Sequence, residues 1–423
     1  MNLNLQPYKG TRDIYPEDMR LRQYIFDTWR KVVESFGYEK YDVPILEPLE
    51  LYAAKTGEEI VNEQTYVFND RGDRRVTIRP EMTPSVARMV AARRQEIPLP
   101  ARLYSIANFM RYERPQKGRE REFWQLNVDI FGVADTRADI EVVSIADQIL
   151  REFGAGPEMY TILLNDRRLT DYIMRDYLGL TEAQASAMIK LFDRRKKISE
   201  ADFDAQVAEI APENTSETLA KIQKITEVNN LDDVPTGAPI NDLQKVLATL
   251  TKKGINAKYD PTLMRGFDYY TGIVFEVFDQ NPDNNRSMFG GGRYDGLVGL
   301  FGVEDLPVVG FAPGETTMIE FLRAWNLLPK LSPTTTIVIA PIGEVDVTAV
   351  ADQLRAAGIN VAIDFTDRKL DKVIKSAVKS GAPYLMIIGE DEITSNQFKL
   401  KNLSEETEKT LSIDQIVDIV ARS

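Results

Sequence analysis

The sequence predicts an α+β fold: an antiparallel, strand-rich domain interrupted by a helical insertion and followed by a small α/β domain. Three observations predict it. Along residues 121–131 apolar and polar side chains alternate almost strictly, and a second strand-like run, Leu103 to Arg111, lies one charged loop away, the pattern of an antiparallel pair with one packed face. Residues from about 169 to 250 are helix-rich, charged and poor in strand signals. Beyond the Pro- and Thr-rich stretch Leu327 to Thr336, strand-like runs alternate with helical patterns, which predicts an α/β unit with a largely parallel sheet.

The elements follow in order. From Pro16 to Phe36 the apolar positions Met19, Ile25, Trp29, Val32, Val33 and Phe36 recur at roughly helical spacing, and Gly37 closes a long amphipathic helix. Tyr41 to Ile45 and Thr65 to Phe68 read as short strands, the second leading into an Asn69-Asp70-Arg71-Gly72 turn before Val76 to Arg79. Pro80-Glu81-Met82-Thr83-Pro84 then opens a helix through Arg93. In the run Arg121 to Phe131, Trp124, Leu126, Val128 and Ile130 share one face, while Phe123, Gln125, Asn127 and Asp129 share the other. One face packs, and the other is left to touch a ligand. Ile140 to Phe153 is again helical. Strand character returns at Gly272 to Asp279 and once more after a Gly290-Gly291-Gly292 turn, so the first domain resumes after the insertion. Ile337 to Pro341, Ile359 to Phe365 and Tyr384 to Ile388 are the strands of the last domain. A chain of 423 residues exceeds one core, since cores stop growing near about 250–300 residues. The domains are therefore expected at 1–328, with 169–250 inserted, and at 334–423.

Composition removes whole classes of chemistry. Cysteine is absent, which rules out disulfides, thiolate nucleophiles and cysteine metal sites. Histidine is absent too, so imidazole serves nowhere as base, shuttle or metal ligand. What remains is chemistry driven by positioning and charge stabilisation, of which phosphoryl and nucleotidyl transfer are examples. The longest apolar runs, such as Tyr384 to Ile388, fall far short of a membrane span. Met1-Asn2-Leu3-Asn4 opens without a basic then apolar stretch, so the expectation is a cytoplasmic chain with no membrane partner. A net charge of −13 argues against coating nucleic acid nonspecifically. Within it, Arg111, Arg114, Lys117, Arg119 and Arg121 crowd into eleven positions and form a local basic patch.

That patch is the chemical centre of the sequence. Phe109-Met110-Arg111-Tyr112-Glu113-Arg114-Pro115-Gln116-Lys117-Gly118-Arg119 is followed by Glu122-Phe123-Trp124-Gln125-Leu126-Asn127-Val128-Asp129. An arginine fixed at the end of one strand, opposite a second, suits an α-phosphate whose charge grows as a carboxylate attacks it. A basic hairpin whose charges are merely solvated gives the same run. A second segment, Leu263-Met264-Arg265-Gly266-Phe267-Asp268-Tyr269-Tyr270-Thr271-Gly272, places an arginine beside a tyrosine pair. It offers charge to a phosphate and hydroxyls for hydrogen bonding, or else a tyrosine-rich core strand. Glu81, Thr83 and Asp129 add two carboxylates and a hydroxyl, although as lone residues each is more often a surface or capping group.

The first of these segments resembles motif 2 of the histidine–tRNA ligase family of class II aminoacyl-tRNA synthetases, and the second resembles the signature that sets that family apart. The resemblance implies the class II antiparallel catalytic sheet with a C-terminal anticodon-binding domain, carried here by Asp367 to Lys372 and by Gly381 to Glu392. It implies that Arg111 and Arg265 are the catalytic arginines. By the same resemblance Glu81, Met82, Thr83, Arg111, Gln125, Asp129, Arg265, Tyr269 and Tyr270 line the amino-acid site. Arg111, Glu113, Arg119, Phe123, Arg265 and Arg293 would serve ATP. The loop from Arg114 to Arg121 would approach the tRNA acceptor end. It further implies L-histidine, ATP with Mg2+ and the histidine tRNA as partners, with no metal held by the protein itself, in a homodimer to which the first helix contributes. Phe289-Gly290-Gly291-Gly292-Arg293-Tyr294-Asp295-Gly296 is similar to the family's glycine-rich strand. One departure stands out: after Val309 to Gly314, where motif 3 carries a glutamate–arginine pair, this chain reads Glu315-Thr316-Thr317-Met318. Thr317 occupies the arginine position, which usually grips the γ-phosphate, and Arg293 or Arg323 is the candidate substitute. A second reading fits the altered motif 3, that of a non-catalytic regulatory subunit of ATP phosphoribosyltransferase. The complete 265–272 signature and the C-terminal domain weigh against it.

Overall fold

The computed structural model describes residues 4–421 except 54–63, 115–117, 119, 196–197, 229, 265–268, 285 and 367. The described chain divides into two units, one of Met1–Ile14 with Arg22–Leu328 and the other of Tyr15–Leu21 with Pro329–Ser423.

The long helix that the sequence predicts enters the first unit at Arg22. α1 (Pro16–Ser35) buries Ile25, Trp29, Val32 and Val33 along one stripe, and Gly37 follows it with φ +80, a conformation open to glycine at no steric cost. Next come β1 (Glu39–Lys40), β2 (Leu46–Pro48), α2 (Leu49–Ala53), β3 (Tyr66–Asn69), β4 (Arg75–Ile78) and α3 (Thr83–Ala92). The strand expected at Tyr41 to Ile45 is instead a connection between β1 and β2. Pro44 lies inside it and has no N–H to give a ladder. β5 (Ala101–Met110) and β6 (Glu122–Phe131) pair antiparallel over their whole length, from Ala101 opposite Phe131 to Met110 opposite Glu122. They are followed by α4 (Arg137–Glu152) and β7 (Tyr160–Asp166).

β7 and β8 (Ala257–Tyr259) are parallel neighbours, and a parallel pair needs a long crossover. The inserted helices α5 (Arg167–Tyr172), α6 (Glu182–Arg194), α7 (Glu200–Ile210), α8 (Thr215–Thr226) and α9 (Asn241–Lys252) supply it. β9 (Ile273–Asp279), β10 (Ser287–Arg293), β11 (Val308–Phe311) and α10 (Glu315–Ala324) complete the unit. The eight-stranded sheet runs β1-β5-β6-β11-β10-β9-β7-β8, antiparallel except at its two edges. Its apolar side packs on helices, with Val142, Val143, Ile145 and Ile149 of α4 fully buried.

The glycine run is not a turn. Gly290, Gly291 and Gly292 lie inside β10, at the middle of the sheet. A Cβ on Gly291 would come within 2.8 Å of the Phe311 Cα, and one on Gly292 within 2.7 Å of the Ile273 carbonyl. Close backbone approach, and not reversal of the chain, is what these glycines permit.

In the second unit β12 (Ile337–Pro341), α11 (Thr348–Ala356), β13 (Val361–Ile363), α12 (Leu370–Ser380) and β14 (Tyr384–Ile388) alternate strand and helix, and β12 is parallel to both β13 and β14. The sheet is mixed, however, because β15 (Phe398–Asn402) and β16 (Thr407–Leu411) add an antiparallel hairpin. Only the short α13 (Glu390–Ser395) separates β14 from β15, too little chain for a parallel crossover. α14 (Ile413–Val420) closes the unit with Ile416 fully buried among Leu354, Met386 and Phe398.

Candidate active site

The ends of β5 and β6 govern the site. Arg111 N donates to the Arg121 carbonyl at 2.8 Å, and Met110 N donates to the Arg79 carbonyl at 3.2 Å. These bonds fix both the hairpin and the segment ahead of α3. Arg79 is itself buried: it donates to the carbonyls of Val43 at 2.7 Å and Asn108 at 3.0 Å, and it pairs with Asp42. The following Pro80 carbonyl accepts from Arg111 Nε at 2.9 Å, and the guanidinium sits 5.3 Å from the centre of the Phe123 ring. Arg111 is thus oriented before any ligand arrives.

A cavity of about 610 Å³ opens in front of this arginine. Glu81, Met82 and Thr83 reach it from the start of α3, where Pro84 in the first turn suits a helix N-terminus. Phe123, Gln125, Asn127 and Asp129 reach it from β6, the polar face that the alternation assigns to a ligand; Leu126, Val128 and Ile130 pack behind. Trp124, read as a packing residue, also touches the cavity while its ring meets Phe26 of α1. Glu113, Tyr269 and Tyr270 complete the residues foreseen from sequence that the cavity brings together. The two tyrosine rings lie 5.0 Å apart, and Tyr269 meets Tyr294 edge-on at 5.7 Å.

Asp129 lies at the buried end. The Tyr294 hydroxyl donates to its Oδ1 in a very short contact. Burial pushes the Asp129 carboxyl up to about 7, against the pull of the Tyr294 and Tyr41 hydroxyls. The same burial, with the neighbouring carboxylate, holds the Tyr294 hydroxyl well above its ordinary range, so it remains a donor. Gly310 faces Asp129 across β11 and β6. A Cβ there would stand 2.9 Å from the Tyr294 oxygen and 2.7 Å from the Val128 carbonyl, and it would strike Asp129 Oδ1. A side chain at 310 is therefore incompatible with the tyrosine–aspartate pair.

Three arginines sit elsewhere than expected. Arg293 does not line the cavity. Its guanidinium binds the buried Asp139 of α4 at 2.6 Å and, on the half-buried segment just ahead of that helix, the carbonyls of Val133 at 2.9 Å and Asp135 at 3.1 Å. With its donors engaged by a buried carboxylate and two carbonyls, it ties β10 to α4 and is withdrawn as an ATP ligand. Arg121, counted in the basic patch, is held at 4.1 Å over the Tyr112 ring and donates to Tyr8 and to the Glu113 carbonyl. It braces the hairpin. Arg323 pairs with Glu320 outside the cavity and does not replace the arginine missing at Thr317. Arg119 and Arg265 lie outside the described residues.

The first turn of α10 forms a further wall. Thr316 and Thr317 face the cavity, and Thr317 Oγ1 donates to the Gly314 carbonyl at 2.9 Å. Glu315 turns away into a two-pronged pair with Arg22 at 2.9 and 3.0 Å. Sequence reasoning missed Glu276, Arg286 and Ser287 on the cavity wall, and it gave Tyr294 no role. Tyr294 had a signal, as it sits in the glycine-rich run; Arg286, in a polar turn, had none.

Comparison with known proteins adds an independent line. Residues 10–314 match the family described as histidyl-tRNA synthetase, and residues 336–423 match the family described as anticodon binding domain. The chain is 44% identical over 423 residues to a histidine–tRNA ligase of Leptospira biflexa, covering 98% of this chain and 96% of the relative. It is 36% identical over 429 residues to a histidine–tRNA ligase of Opitutus terrae, covering 98% of each. Among solved structures, a histidyl-tRNA synthetase from Nostoc sp. PCC 7120 superposes with a TM-score of 0.82 at 25% identity, covering all of both chains.

Proposed function

The chain belongs to the histidyl-tRNA synthetase family, and from that premise we propose that it joins L-histidine to its tRNA in two steps at the cavity before Arg111. The carboxylate of histidine attacks the α-phosphorus of ATP, releasing pyrophosphate and leaving histidyl-adenylate; a terminal hydroxyl of the tRNA then attacks the adenylate carbonyl and releases AMP. One observation carries the reading: a single cavity gathers an oriented arginine, a carboxylate and hydroxyl at a helix start, and a buried aspartate from segments far apart in sequence.

Each group has a task that its chemistry fits. Glu81 and Thr83 receive the ammonium. Gln125 faces the carboxylate, and Asp129 accepts the imidazole N–H beside Tyr269 and Tyr270. Phe123 stacks on adenine and Glu113 accepts from its amino group. Arg111, and by resemblance Arg265, stabilise the charge that develops on the α-phosphate. No step asks for an imidazole base, consistent with a chain that has none. Magnesium enters with ATP as part of the substrate and neutralises phosphate charge there. Among the described residues no cluster of three or more acidic side chains is arranged to hold a metal.

The exposed Arg114 belongs to the loop that meets the tRNA acceptor end, while residues 336–423 take the anticodon. The working form is a cytoplasmic homodimer; among the described residues no helix is long and apolar enough to cross a membrane. Histidine-dependent ATP–pyrophosphate exchange tests the assignment. Exchange with histidine and with no other amino acid is expected. Histidine binding without exchange would move the chain to the regulatory class.

A further inference from the structure

We propose that Arg286 is a substrate-contacting residue that grips the β,γ-phosphate end of ATP, the part released as pyrophosphate. The inference deepens the ATP-dependent reading above and rests on it.

The charge inventory of the cavity raises the question. Glu81, Glu113, Glu120, Asp129 and Glu276 bring five carboxyl groups to its wall. Among the described residues, Arg111 and Arg286 are the arginines on that wall, and no lysine reaches it. A triphosphate leaves water only where cations and N–H donors replace its hydration, and arginine, with its planar fork of donors, does so best. Arg111 is tethered to the Pro80 carbonyl beside Phe123, and the reading above assigns it to the reacting α-phosphate. The first turn of α10 offers the hydroxyls of Thr316 and Thr317 and no cation. Among the described residues, a positive group for the far end of the triphosphate comes only from another element.

Arg286 is built to be that group. Its backbone is fixed at the entrance to β10, where its carbonyl accepts from Asp279 N at 3.0 Å. Its guanidinium lies against the backbone of Gly118 in the β5–β6 loop: a Cβ at 118 would stand 2.6 and 2.7 Å from the two terminal nitrogens and 3.0 Å from the central carbon. Gly118 also has φ +75, so at this position the backbone is left-handed and carries no side chain where the guanidinium lies. Arg286 and Gly118 both line the cavity. The arrangement brings a cation from the β9–β10 turn onto the loop of the hairpin that carries Arg111, on the same cavity wall.

The test is ATP–pyrophosphate exchange on the full chain with Arg286→Ala, Arg286→Lys and the double variant Arg286→Ala/Thr317→Arg. Loss of one charge-assisted arginine–phosphate contact is expected to raise the KM for ATP about tenfold or more, with the KM for histidine and the melting temperature unchanged. Arg286→Lys is expected to fall between. The arginine at 317, on a different element but on the same cavity, is expected to restore ATP affinity, which a role confined to bracing Gly118 does not allow. An unchanged KM for ATP in Arg286→Ala overturns the proposal. So does a parallel rise in both KM values without recovery in the double variant. If Arg286→Ala does not fold, Arg286→Lys is judged by the same KM criterion. If the wild type shows no exchange, the ATP-dependent reading fails, and calorimetric titration of magnesium–ATP into wild type and Arg286→Ala still decides Arg286: equal affinity overturns it, weaker affinity supports it.

Discussion

Asp129 shows what burying a carboxyl at a cavity wall costs in stability. Its carboxyl rises from an ordinary 3.8 to about 7, chiefly through burial. The folded state therefore holds this proton more tightly than the unfolded one. The stability that the residue contributes is complete below about pH 4 and is lost as pH rises toward 7, beyond which a buried charge remains as a constant penalty. Asp129→Asn removes that charge and keeps an acceptor for Tyr294. Its melting temperature should match that of the wild type near pH 4 and exceed it by a few degrees at pH 8, as read by differential scanning calorimetry. Histidine-dependent exchange in the same variant should fall by about a hundredfold or more, the scale of losing a charged hydrogen-bond partner. A variant that lost activity without gaining stability at pH 8 would remove the charge-burial account. The alternation along β6 made Asp129 and Gln125 legible from sequence. It could not reveal Tyr294, 165 positions away, or the demand for Gly310, since both arise only when β6, β10 and β11 come together in the sheet.

Elements mislead where one local pattern has two structural causes. A run of three glycines followed by Arg-Tyr-Asp reads as a turn presenting an arginine to a phosphate. The same residues serve a central strand whose neighbours approach closer than a Cβ permits, and the arginine is spent on Asp139 of α4, 154 positions away. Burial raises the Asp139 carboxyl while Arg293 pulls it down, so the pair stands or falls together. Removing one partner of such a pair costs about 3–5 kcal/mol. Arg293→Ala is thus expected to lower the urea midpoint by that much free energy while leaving the KM for ATP unchanged in enzyme that remains folded. A rise in that KM alone, with stability intact, would return Arg293 to the nucleotide. Helices with a single apolar stripe, such as α1, are legible almost to the residue, because apolar side chains spaced at 3.6 residues and closed by a glycine suit a helix and no strand. The β15–β16 hairpin escaped notice because its strands, Phe398–Asn402 and Thr407–Leu411, are largely polar: β15 buries only Phe398 and Leu400, and β16 is almost wholly exposed.

At the scale of the whole molecule, the missing residue types bear on both chemistry and supply. Without histidine or cysteine among 423 residues, the side chains that ordinarily titrate between pH 5 and 8 are gone, and the reaction is left to arginines, carboxylates and hydroxyls held in place by the sheet. The two-domain plan was legible because its signals are regional: strand alternation, a helical tract, a Pro- and Thr-rich junction. The same absence reaches outside the fold. A ligase that supplies histidyl-tRNA is itself assembled without drawing on it, so the ribosome making this chain meets no histidine codon when its product runs short. Under histidine limitation, the rate of synthesis of this protein relative to a histidine-containing protein of similar length is therefore expected to rise, measured by pulse labelling at matched transcript levels. Placing a single histidine at an exposed turn, as in Asn396→His, should abolish part of that advantage. If the unaltered chain slowed as much as its histidine-containing comparator, composition would have no bearing on its supply.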